Sequence, residues 1–218
     1  MSSLIGTMKK KPFSLIVRLA ENNVSFAKAA VESGADALVM DFDPSIKDKK
    51  EFIAIIDSVK APVGLKMGNG IGESEVGALI KLGVDFLDIN FKTAPQWMLK
   101  ISGIGKIASL DPEYLIDDIN RMTAHAFDGI DAAIIPKDMV GRDLTVGDLQ
   151  QYITIALSTG LPVIVPTQKL IRASELPIIW DTGAKGLILD RTITGDRLPA
   201  FKAIIKGYRS VADSLQEK

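Results

Sequence analysis

Lys66 ends the apolar run Pro62 to Met67 (PVGLKM), and Gly68, Gly70 and Gly72 follow it. A lysine in such a place can stabilise developing negative charge or donate a proton; with a depressed pKa it can form a Schiff base. Other polar residues stand at the ends of other apolar runs: Ser14 and Arg18, Asp41 and Asp43, Asp88 and Asn90, Ser109 and Asp111, Lys137 and Asp138, then Thr167, Gln168 and Lys169, and finally Asp190, Arg191 and Thr192. A lysine among carboxylates is held charged, because opposite charges favour the ionised form. That suits an electrostatic stabiliser or proton donor better than a Schiff-base nucleophile. The alternative is a buried charge network that fills a core, since charges are seldom buried without partners.

The glycines after Lys66 contain G-x-G-x-G, which is neither a dinucleotide nor a nucleoside-triphosphate fingerprint. Glu73 and Glu75 open the next helical segment, where the positive end of the helix dipole favours carboxylates and so disfavours a second anion. The stretch reads as a flexible loop with a turn at Asn69–Gly70. Asp41, Asp43, Asp88, Asn90 and Asp111 are hard oxygen ligands of the kind magnesium accepts. No local spacing motif supports a magnesium site, and Lys66 competes for the same carboxylates, so no metal or other cofactor is expected. His125 is the single histidine and falls in a helical segment (NRMTAHAF), where an outward position is expected. The absence of cysteine excludes disulfides, thiolate metal sites and cysteine nucleophiles.

The elements that position these residues alternate along the chain. Strand segments are Phe13–Arg18, Ala37–Phe42, Pro62–Met67, Asp85–Asn90, Lys106–Leu110, Ala132–Pro136, Pro162–Pro166 and Gly186–Asp190. Helical segments between them include Val24–Ser33, Lys49–Val59, Leu144–Ser158 and Pro199–Leu215. Most strand segments are apolar on both parities, as strands covered on both faces are. A repeat supports the count. Gly34-Ala35-Asp36, Gly83-Val84-Asp85, Gly129-Ile130-Asp131 and Gly183-Ala184-Lys185 read as strand entries, 49, 46 and 54 residues apart (83 minus 34, 129 minus 83, 183 minus 129), two βα units each. Glycine is favoured just past a helix because left-handed geometry costs it nothing. Eight βα units predict a single α/β domain, a (β/α)8 TIM barrel over residues 12–218 behind an N-terminal extension of residues 1–11; a doubly wound open sheet is the second choice.

In such a barrel chemistry sits at the C-terminal strand ends. Lys66 is then expected between Asp41 and Asp88 on its two neighbouring strands, with Arg18 one strand further round. With 26 basic and 27 acidic side chains, net charge −1, no strong field draws the chain to nucleic acid. No apolar run approaches the ~18 residues of a membrane span. No signal peptide is evident, and the cytoplasm is the expected location. The expected partner is a small anionic substrate. Trp97 and Met98 would serve a homo-oligomer interface or core packing equally well.

The segments LPVIVPTQKLIRASELP and TGAKGLILDRTITGD resemble the ribulose-phosphate-binding barrels, a group that includes N-acylglucosamine-6-phosphate 2-epimerase. Ile193 and Thr194 match its "-IT-" stretch after strand 8. The resemblance covers about the last third of the chain in detail. It implies a phosphate or carboxylate site after strands 7 and 8; the residues expected to bind the anion in this chain are Lys169, Arg191, Thr192, Gln168 and Lys137, and Lys169, Arg172 or Arg191 must do part of the work. The sequence departs from the group at the glycines that usually follow those strands, having Thr167-Gln168-Lys169 and Asp190-Arg191-Thr192 instead. The reading is an isomerase, epimerase or lyase that abstracts a proton next to a carbonyl, with Lys66, Asp41, Asp88, Arg18 and Asn90 as catalytic residues. A class I aldolase using Lys66 or Lys137 is one alternative. A barrel without catalysis, serving as a binding or assembly protein, is the other.

Overall fold

Side chains along a strand alternate between two faces, and here both faces are buried. In the computed structural model, which describes residues 2–42, 49–68, 71–122 and 127–215, eight parallel strands pair in sequence order and β8 closes onto β1. They are β1 Ser14–Arg18, β2 Ala37–Phe42, β3 Val63–Met67, β4 Phe86–Asn90, β5 Gly105–Ser109, β6 Gly129–Asp131, β7 Val163–Pro166 and β8 Gly186–Leu189. The fold is a single (β/α)8 barrel. Outward residues such as Leu15, Leu38, Leu65, Leu87 and Leu187 pack under the helices. Inward residues Ile16, Ala37, Val39, Phe86, Ile107, Ile164 and Ile188 form a second, inner cluster.

The outer layer contains α2 Val24–Glu32, α3 Lys50–Ser58, α4 Glu73–Lys81, α5 Ile116–Met122, α6 Val146–Leu157, α7 Leu176–Asp181, the short α8 Arg191–Thr194 and α9 Leu198–Ser214. Between β4 and β5 the chain makes a 3-10 turn, Gln96–Lys100, in place of a full helix. Met98 is buried there and Trp97 packs against the core, so core packing accounts for the pair.

The N-terminal segment forms α1, Ser3–Lys10. Its Leu4, Ile5 and Met8 join the inner cluster, plugging the N-terminal end of the barrel. Two strand-entry aspartates hold it. Asp85 accepts hydrogen bonds from Ser2 Oγ (2.6 Å) and from the N–H groups of Ser3 (2.8 Å) and Leu4 (3.0 Å), satisfying donors that a helix start leaves free. Burial opposes ionisation of Asp85, but these hydrogen bonds hold its pKa below the usual carboxylate value. At the other end Lys11 pairs with Asp36.

The strand-entry repeat is genuine at three positions. Gly34, Gly83 and Gly183 have φ of 105°, 89° and 91°, the left-handed geometry that ends a helix. The next-but-one residues donate their N–H groups to the preceding strand: Asp36 to Leu15 O (2.7 Å), Asp85 to Val63 O (2.8 Å) and Lys185 to Val163 O (2.8 Å). The fourth equivalent is Asp128, whose N–H reaches Lys106 O at 2.7 Å, and not the Asp131 of the Gly-Ile-Asp match. Strand 6 therefore begins at Gly129, three residues before the Ala132 expected from the sequence, and Asp131 is an inward residue of β6.

Gly64 serves the same packing constraint. A Cβ at this position would overlap the ring of Phe86, which fills the barrel beneath Lys66. Gly64→Ala is expected to destabilise the fold by roughly 1–3 kcal/mol through overpacking. Urea unfolding checks this, and in a Phe86→Leu background the added cost of the alanine should fall to less than half.

Candidate active site

Above the Phe86 layer the inward positions turn polar. Strand register places Lys66 level with Asp41 on β2 and Asp88 on β4. The side chain of Lys66 leans away from Asp41. Its Nζ donates to Asp88 Oδ2 at 2.7 Å, Asp131 Oδ2 at 2.8 Å and Ser109 Oγ at 2.7 Å. Ser109 Oγ also lies 3.1 Å from Asp131 Oδ2. Four strands, β3 to β6, thus meet at one ammonium group. Asp88 and Asp131 are 3% and 2% exposed, while Lys66 is 26% exposed, so the lysine is the part of this cluster that a ligand meets.

A second charged group lies on the opposite side of the mouth. Arg18 is bound by Asp41, with Nε 2.9 Å from Oδ1, and its Nη1 is 3.5 Å from Asp190 Oδ1. The Asp190 N–H donates to Thr167 Oγ1 at 2.8 Å, which ties the end of β8 to the end of β7. Arg18, Gln168 and Asp190 separate two connected cavities. The inner one, about 100 Å³, is lined by Lys66, Asp88, Asp131, Val39, Ala133 and Pro166 beside these three. The outer one, about 360 Å³, adds Asp41, Val140, Arg191 and Thr192.

Burial and neighbouring charge set the protonation states. Burial alone would discharge Lys66, but the carboxylates of Asp131 and Asp88 outweigh it and raise its pKa. Burial, together with the negative charge of Asp131, pushes Asp88 up to about 8 against the pull of Lys66. Burial raises Asp190 to about 6, opposed mainly by the charge of Arg18. At neutral pH the cluster therefore presents a charged lysine across from a carboxylate whose pKa lies near operating pH.

The remaining predicted residues fall into separate groups. Arg191 and Thr192 line the outer cavity, Arg191 paired with Asp196 at 2.9 Å. Gln168 lines both cavities, its Oε1 held by the Ile135 N–H at 3.1 Å. Lys169 does not reach the mouth. It is 1% exposed, with its ammonium 3.3 Å from Asp148 of α6. Lys137 is exposed on a 3-10 turn, Lys137–Met139, beyond the true end of β6, and lines neither of these cavities. Asn90 accepts from the Lys92 N–H at 3.0 Å, and Lys92 pairs with Asp111 at 2.7 Å, a group apart from Lys66. Of the acidic residues weighed as magnesium ligands, Asp41, Asp88 and Asp111 are thus dispersed among Arg18, Lys66 and Lys92. Among the described residues no cluster of three or more histidine, aspartate or glutamate side chains is arranged to hold a metal. Asp43, Asn69–Gly70 and His125 lie outside the described residues.

No protein-family model and no curated protein sequence matches the chain. Among solved structures it is similar to the ligand-free form of a tryptophan synthase from M. tuberculosis, at 14% identity and a TM-score of 0.73 over 96% of this chain and 97% of that one. It is similar to thiamine phosphate pyrophosphorylase from Pyrococcus furiosus, at 15% identity and 0.69 over 94% and 98%. It is also similar to phosphoribosyl anthranilate isomerase from Thermus thermophilus, at 14% and 0.67 over 94% and 100%. At these identities the likeness defines the class of fold, a TIM barrel. No helix among the described residues is long and apolar enough to cross a membrane.

A carboxyl group whose pKa rises on folding keeps its proton in the native state after the unfolded chain has lost it. Stability then falls as pH rises between the two values, here 3.8 and about 8 for Asp88. The stability of the wild type relative to Asp88→Asn should decline across that window and level off above it. Urea midpoints measured at intervals from about pH 5 to 9 check the sign; a rising difference would contradict the protonated Asp88.

Proposed function

We propose that the protein is an enzyme that moves a proton next to a carbonyl group of a small anionic, sugar-like substrate: an isomerase or epimerase, or a lyase using the same first step. The observation that carries this reading is the pairing across the inner cavity of a permanently charged Lys66 with Asp190, a carboxylate held near pKa 6. General bases work best with a pKa near the operating pH. Asp190 takes the proton from carbon. Lys66 lies beside the oxygen on which negative charge then develops and stabilises it through its charge; its three N–H groups are engaged by Asp88, Asp131 and Ser109, so a direct hydrogen bond to that oxygen requires the neutral partner, Ser109, to let go. Asp88 and Asp131 lie behind the lysine and keep it charged, and Asp41 is held by Arg18, which leaves the role of base to Asp190.

The anionic end of the substrate fits the outer cavity, where Arg18 and Arg191 supply positive charge and Thr192 a hydroxyl. Phosphate is one such anion, in keeping with the strand 8 resemblance, and the similar solved structures include enzymes named for phosphorylated compounds. Asp41 must release Arg18 for the anion, and its side chain, 59% exposed, is free to swing into solvent. The Schiff-base alternative is less well supported, because a lysine with a raised pKa is a poor nucleophile at neutral pH.

The test is incorporation of deuterium at the carbon next to the carbonyl in a panel of ketose and aldose phosphates, followed by NMR. Wild type should exchange at least one substrate. Asp190→Asn and Lys66→Met should each slow exchange by about 10²- to 10⁴-fold, the usual worth of such groups. A borohydride-trapped adduct on Lys66 would establish the aldolase instead. No exchange, with no ligand raising the melting temperature at millimolar concentration, would leave the non-catalytic barrel.

A further inference from the structure

The opposite end of the barrel carries a cavity of different character. About 330 Å³ in volume, it is lined by the end of α1, the α6–β7 connection and the entry to β8. Its walls are apolar at Met8, Ala156, Leu161 and Pro162, and cationic at Lys9, Lys11 and Lys185; no acidic residue lines it. The size lies within the usual range for small-molecule sites, as does the mixture of apolar wall and few charges.

The charges here are not explained by internal pairing. Lys11 is bound to Asp36, but Lys9 and Lys185 have no ion-pair partner among the described residues. Lysines in the last turn of α1 favour the helix dipole, which accounts for Lys9. It does not account for Lys185. At the four equivalent strand entries the residue is Asp36, Asp85, Asp128 and Lys185. Asp36 and Asp128 accept the N–H of the preceding strand, from Leu15 (2.8 Å) and Lys106 (2.9 Å), and Asp85 holds the start of α1. Lys185 alone replaces the carboxylate with a cation, and it does so where the cavity opens. Two unpaired cations beside an apolar wall repel each other and attract an anion.

We propose that this cavity binds an organic anion, a carboxylate or phosphate head on Lys9 and Lys185 with a short apolar body against Met8, Leu161 and Pro162. Met8 also belongs to the inner cluster with Phe86, so the ligand would rest on the plug of the barrel.

The test uses protein labelled with 13C at the methionine methyl groups. Met8 reports on this cavity; Met139, next to the Val140 that lines the outer cavity at the mouth, reports on the other end. Sodium hexanoate should shift the Met8 signal saturably at millimolar concentration or below and leave Met139 in place. Inorganic phosphate, which lacks the apolar body, should need at least tenfold more, and hexylamine should have no effect. In the Lys9→Ala, Lys185→Ala double variant, whose unliganded spectrum shows that it folds, the hexanoate affinity should fall at least tenfold. An unmoved Met8 signal, or a shift of equal affinity in the double variant, would overturn the proposal, as would movement of Met139 alone.

Discussion

Closing eight parallel strands into a barrel confines every second side chain to one narrow interior, and the rest of this structure follows from how that interior is filled. Phe86 takes most of one layer. Gly64 and Gly105 exist where a Cβ would strike Phe86 or the Ser2 side chain. Below this layer α1 inserts Leu4, Ile5 and Met8, all three buried, to form the apolar floor. Above it the same inward positions carry charge, because only at the mouth can charged groups find both partners and solvent.

The charged layer is organised around cations. Lys66 collects Asp88, Asp131 and Ser109; Arg18 collects Asp41 and Asp190; Lys92 collects Asp111. Removing a carboxylate from water is costly unless it is paired. Four aspartates line the two mouth cavities against Lys66, Arg18 and an Arg191 already paired with Asp196, so burial leaves part of that cost unmet, and raised pKa values at Asp88 and Asp190 are the result. Carboxyl groups with pKa values near neutrality thus arise from an imbalance of buried charge, without histidine or cysteine among the cavity linings. The N-terminal end has the reverse imbalance: Lys9 and Lys185 have no ion-pair partner among the described residues, and no acidic residue lines the cavity.

Much of the site was legible from strand parity. Lys66, Asp88, Arg18 and Asp190 were found by reading polar residues at the C-terminal ends of apolar runs. Asp131 was lost to a coincidence: Gly129-Ile130-Asp131 copies the pattern of true strand entries, although the real entry is Asp128. The signal was present in the spacing. Asp88 lies three residues after entry Asp85, and Asp131 three after entry Asp128, so both face inward at the same depth. Lys169 and Lys137 lie away from the mouth cavities for another reason. Each follows a strand end, where alternation ceases to predict direction, and the chain turned one under α6 and the other out to solvent.

The sequence by itself determined the barrel, because eight doubly apolar segments and helix-ending glycines at two-unit spacing allow few other arrangements. It also put lysine, arginine and carboxylates at the C-terminal strand ends, with the single histidine elsewhere in the chain. The tertiary structure alone decided which carboxylates serve Lys66. Asp41 and Asp88 are equal neighbours in register, yet Arg18 holds the first, and the lysine reaches across the barrel to Asp131, 65 residues further along the chain. Such a choice depends on distances across a closed interior, and no local pattern in the chain encodes them.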